Sequence, residues 1–86
     1  MKDHEKTLKA LANRRRLQII KYLKKEKEAT VGEIAGYLKL SFKSTSKHLL
    51  ILMNADILGK DQRSVSAFYS LAANKPLLIR GVIAEL

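Results

Sequence analysis

The chain has 86 residues, with 17 Lys and Arg against 8 Asp and Glu, a formal net charge of +9 and no cysteine. That length holds one small domain with a modest core, and without thiols neither disulfides nor thiolate metal sites can form. The longest apolar run is about five residues, far below the roughly 20 of a membrane span, while the positive excess points to a polyanion partner, nucleic acid first.

The start, Met1-Lys2-Asp3-His4-Glu5, has no apolar segment behind it and does not read as a signal peptide. A cytoplasmic, nucleoid-associated protein is the expectation. Leu8, Leu11 and Ala12 predict a short first helix over about 3–12. Asn13 can cap a second helix over about 14–26, with Leu17, Ile20 and Leu23 inward. Its first turn carries Arg14, Arg15 and Arg16, where the helix dipole disfavours cations. A nearby phosphate would reverse that, so Arg14 and Arg15 are candidate DNA contacts. Lys24 to Glu28 reads as a solvated helix end and loop.

Thr30-Val31-Gly32-Glu33 is a capping box and marks the start of a third helix. Ile34, Ala35 and Leu38 form its inner face. Lys39-Leu40 makes a tight turn, and Ser41 can cap a fourth helix over about 42–55. The period then changes to two. The stretches 57–61 and 66–71 read as strands joined by a turn at Gln62-Arg63-Ser64-Val65. Pro76 is tolerated in the first turn of a last helix over about 75–86. Leu77, Leu78, Ile79, Val82, Ile83 and Leu86 leave that helix apolar nearly all round, which suits an interface. The fold class is mainly α with a small β-hairpin: four helices, two strands and a fifth helix.

On the fourth helix Thr45, Leu49 and Leu52 recur at helical spacing and face inward, with His48 beside them. Lys43, Ser44, Ser46 and Lys47 fall on the other side, in the first two turns. With the preceding short helix this is a helix-turn-helix, over about 31–55. Lysines can donate to guanine acceptors or phosphates, serines to base edges or phosphates, and Phe42 can meet a thymine methyl. The hairpin, about 57–71, reads as a wing whose Lys60 and Arg63 can reach the DNA backbone. Ser41 is a further phosphate candidate.

The blocks LANRRRLQIIKYL, IAGYLKLSFKSTSKHLLIL and ILGKDQRSVSAFYSL resemble the signature blocks of the ArsR-type winged-helix repressors. The matching residues are Leu11, Ala12, Asn13, Arg16 and Leu17, then Leu38, Leu40, Ser41, Thr45, Ser46, His48 and Leu49, then Tyr69 and Leu71. The resemblance spans roughly Leu8 to Leu71. It implies a winged helix-turn-helix, a homodimer joined by its first and last helices, and binding to a palindromic double-stranded operator. The dimerisation helices would be about 3–12 and 75–86, with Leu8, Leu11, Leu77, Leu78, Val82, Ile83 and Leu86 at the interface. It also implies that Arg16 bonds within the protein.

Some features depart from the family. Metal-sensing members carry cysteines where this chain has Ala29-Thr30-Val31, and ligands on a last helix that here offers only Glu85. No metal and no cofactor are expected. The wing lacks the family's usual Arg-Arg and Glu-Gly features. Leu50 and Met53 stand at positions often charged in the family, and either widen the packing or provide a further protein contact. His48 is expected to be a partly buried structural histidine bonded to backbone, and Tyr22 and Tyr37 to pack at the core edge. Nothing assembles into a catalytic set, so an enzyme is not expected. The alternatives are a winged-helix module that binds a different protein chain and an RNA binder, the latter opposed by the narrow A-form major groove.

Overall fold

The computed structural model describes residues 4–86. Asp3, the expected start of the first helix, lies outside the described residues. The elements in chain order are α1 (His4–Leu11), α2 (Arg14–Glu26), β1 (Glu28–Ala29), α3 (Val31–Leu38), α4 (Phe42–Asn54), β2 (Leu58–Arg63), β3 (Ser66–Leu71) and α5 (Leu77–Glu85).

Local chemistry sets most of the boundaries. The Asn13 side chain accepts from the Arg16 amide and starts α2. Thr30 and Glu33 form the reciprocal capping box at α3, with bonds of 3.2 and 2.8 Å. Ser41 Oγ accepts from the Ser44 amide at 3.1 Å and starts α4. At the end of α3, Lys39 turns left-handed (φ 58°), and the Leu40 amide reaches back to Ala35 O at 3.1 Å. This closing bond lets Leu40 pack on the core while the chain reverses into α4.

The core is one cluster fed by every helix. Ile19, Ile20, Leu23, Ile34, Leu49, Leu52, Ile57 and Ile79 are fully buried. Burying a side chain of this size contributes roughly 1.5–3 kcal/mol relative to exposure. Tyr22 and Tyr37 stack at the edge of this cluster, with ring centroids 4.4 Å apart.

Four expectations need correction. The sheet has three strands in the order β1-β3-β2, all antiparallel, because Glu28 and Ala29 pair with Ser70 and Tyr69. A two-residue strand has no period to read, and its pairing is made across the fold. Strand β2 runs on to Arg63, so the turn narrows to Ser64-Val65, with Ser64 at φ 55°. Pro76 precedes α5 as its cap residue rather than lying inside the first turn. Helix α5 is also less uniformly apolar than expected: Ile79 and Ile83 face the protomer's own core, while Arg80 and Glu85 are exposed.

Candidate nucleic-acid interface

The polar half of α4 projects from the surface. Ser41, Phe42, Lys43, Ser44, Ser46 and Lys47 are all exposed, whereas Thr45, Leu49 and Leu52 on the same helix are buried. Neither Lys43 nor Lys47 has an ion pair or side-chain hydrogen bond among the described residues. The first turn of α4 holds no acidic residue. The helix dipole therefore adds to the lysine charge instead of being cancelled. Phe42 is 63% exposed. One edge of its ring lies 3.4 Å from where a Cβ on Gly32 would sit, so the ring leans on the start of α3.

Behind this surface, Arg16 holds three elements together. Its Nε donates to Ala10 O at 2.6 Å and its Nη2 to Lys9 O at 3.1 Å, at the end of α1. Its Nη1 lies 3.2 Å from His48 Nδ1 on α4. Arg16 thus bonds within the protein, as the resemblance implied. His48, half-buried, is tied to that guanidinium and not to backbone as expected. Burial first, then the charges of Arg16 and Arg15, push the His48 imidazole below its usual pKa. The neutral ring accepts at Nδ1 and keeps α4 docked on α2. A cation already occupies the space beside it, so a second is disfavoured.

The remaining basic candidates differ in what they touch. Arg14 is exposed and has no partner among the described residues. Arg15, also exposed, donates from Nη1 to Leu38 O at 2.7 Å and so links α2 to the end of α3. Lys60 is exposed and without a partner among the described residues. Arg63 is held closely by carboxylates. Its Nη1 and Nη2 donate to the two Glu28 oxygens at 2.7 and 2.8 Å, and its Nε to Asp61 Oδ2 at 2.9 Å. The guanidinium also lies 4.6 Å from the centre of the Phe68 ring. Its hydrogen bonds hold the Glu28 carboxyl below the usual carboxylate range. Two local anions thus compete with any phosphate for Arg63. The signal was present as Glu28 and Asp61, but the register that joins them was not. The tip beyond it is Val65, 94% exposed.

The expected interface residues also divide. Leu8, Leu77 and Leu78 are exposed, Leu77 to 78%. Val82 and Leu86 are half-buried against the core. Leu11 and Ile83, also expected at the interface, are only 7% and 8% exposed and belong to the protomer's own core. On α4, Leu50 and Ile51 are exposed, while Met53 packs against the core. Among the described residues no three His, Asp or Glu side chains converge as a metal site would require, and no helix is long and apolar enough to cross a membrane.

Known proteins share both the sequence pattern and this arrangement. The transcriptional activator HlyU of Vibrio cholerae is 37% identical over 68 residues, covering 79% of this chain and 62% of that protein's length. The structure of reduced HlyU from V. cholerae superposes with a TM-score of 0.81 at 32% identity, covering 96% of this chain and 83% of that one. The arsenical resistance operon repressor of Bacillus subtilis is 25% identical over 85 residues, covering 99% of this chain and 78% of that protein. A Mycobacterium bovis fragment described as a homodimeric winged helix-turn-helix DNA-binding domain superposes with a TM-score of 0.77 at 26% identity, covering 94% of this chain and 71% of that one. The family model described as "Bacterial regulatory protein, arsR family" matches residues 13–60, from the cap of α2 into the wing. With this match over the helix-turn-helix and a relative 37% identical over 68 residues, the chain belongs to the arsR family of bacterial regulatory proteins.

Proposed function

We propose that the protein is a dimeric transcription regulator that reads double-stranded DNA by sequence. It represses by occupying a palindromic operator and needs neither metal nor catalysis. The observation that carries this reading is the charge state of α4: two unpaired lysines and three serines at the exposed start of a helix whose other face is locked into the core. Such an end enters the major groove and reads base edges. Lys43, Ser44, Ser46, Lys47 and Phe42 face the groove. Ser41, Arg14 and Lys60 serve the phosphates. The dimer seam runs through Leu8, Leu77 and Leu78, with Val82 and Leu86 at its rim. The protein acts in the cytoplasm, at the nucleoid.

Selection of bound sequences from a random duplex pool tests this reading. The expected product is a palindrome with half-sites about one DNA turn apart, roughly 10–10.5 bp between centres. Solution mass should report a dimer. A monomer that enriches no duplex would sink the reading and favour a protein-binding module using the exposed Leu50 and Ile51. Better competition by duplex RNA than by duplex DNA would favour an RNA target.

A further inference from the structure

A second basic feature lies outside α4. Arg14 and Gln18, one turn apart on α2, line a cleft with Tyr37 and Lys39 from the end of α3. We propose that Arg14, Gln18 and Lys39 form a sequence-independent clamp on the DNA backbone, next to the groove that α4 reads. The inference rests on the DNA-binding reading above.

Three observations support the clamp. No carboxylate lines the cleft, and none of the three side chains has a partner among the described residues. They differ in this from Arg63, which already donates to three carboxylate oxygens. The cleft is braced, because Arg15 donates to Leu38 O at 2.7 Å and so fixes α2 to the residue beside Lys39. Lys39 itself sits in the left-handed backbone region at φ 58°, where glycine is the unstrained choice. Glycine at this position therefore removes the charge and relieves the backbone together. Finally, Lys39 lies two residues before Ser41, the cap of α4. On this proposal, a DNA strand whose bases meet Lys43 and Ser44 would carry its phosphates past the cleft. Three donors of this kind on an open surface suit phosphate oxygens, which position a protein without reading sequence.

Lys27 provides an internal control. It too is left-handed, at φ 78°, and it lies at the opposite end of α2 from Arg14. Lys39→Gly and Lys27→Gly each remove one charge and one strained side chain. Both should raise the melting temperature. Only Lys39→Gly should weaken binding, several-fold and by the same factor on operator and non-operator duplex, with the salt slope falling by about one. Arg14→Ala, which leaves the backbone unchanged, should act in the same way on affinity and slope. Equal effects of the two glycine variants on affinity and slope, or a loss confined to operator duplex, would overturn the clamp. A Lys43→Ala/Lys47→Ala double variant separates the two readings. If it loses binding while Lys39→Gly and Arg14→Ala do not, the clamp alone falls. If it binds as the parent does, the DNA-binding reading of α4 falls with it.

Discussion

The start of α4 and the wing are both basic and both exposed, yet they hold their charge differently. Lys43 and Lys47 have no partner among the described residues, and the first turn of their helix holds no acidic residue. In the wing, Arg63 is gripped by Glu28 and Asp61, and only Lys60 stays unpaired among the described residues. Two cations there face two carboxylates, so little net field is left to draw a polyanion. The number of basic residues in a segment is thus a poor guide to its available charge. What matters is whether folding brings an anion alongside, as the pairing of β1 with β3 does for Arg63.

The comparison can be broken or sharpened by experiment. The largest effect belongs to Lys43→Ala/Lys47→Ala, which should weaken duplex binding by about 10–100-fold near physiological salt and lower the salt slope by about one for each of the two that also meets a phosphate. Titrations at several salt concentrations measure both, and an unchanged slope would place the phosphate contacts elsewhere. Next comes the inner face of the same helix. Thr45 is fully buried, and its hydroxyl has no hydrogen-bond partner among the described residues. Thr45→Val keeps the shape and removes that unsatisfied group, so it should stabilise the fold by about 1 kcal/mol in denaturant unfolding while DNA affinity stays constant.

Glu28→Gln should turn the wing towards the behaviour of α4. Releasing one of the carboxylates on Arg63 should tighten duplex binding by about twofold to fivefold and steepen the salt dependence. Weaker binding would mean that the clamped geometry of the wing matters more than its charge.

A smaller effect comes from His48, which faces Arg16 and Arg15 and has its pKa held down. The unfolded chain takes up this proton at a higher pH than the folded one. The stabilisation is therefore complete above the ordinary histidine pKa and is lost as pH falls through the lowered value. Melting curves between about pH 7.5 and 5.5 should show a steeper acid loss for the parent than for His48→Gln. The smallest change is expected for Arg63→Ala: no more than about twofold in affinity, with an unaltered slope. A slope lower by one would show that Arg63 leaves its carboxylates to meet a phosphate.

Much of this site was legible before folding was considered. The caps at Asn13, Thr30 and Ser41 and the inward stripe Thr45, Leu49 and Leu52 follow from spacing alone, and the structure has each in place. The exposed lysines of α4 follow from the same helical period. Less was legible about partners. Arg15, Arg16 and Arg63 look alike as surface cations, but one braces α3, one joins α1 to α4, and one is neutralised. Leu11 and Leu8 look alike as interface residues, yet only Leu8 is exposed.

The dividing line is sequence distance. Helix starts, the turn at Lys39 and the two faces of α4 depend on residues within about one helical turn of each other, where spacing sets geometry. The contacts that assign roles to the arginines join residues 23, 32 and 35 positions apart. No local pattern encodes which carbonyl, ring or carboxylate arrives there. Packing around the shared core brings those groups into reach, and so it settles which positive charges are left for DNA.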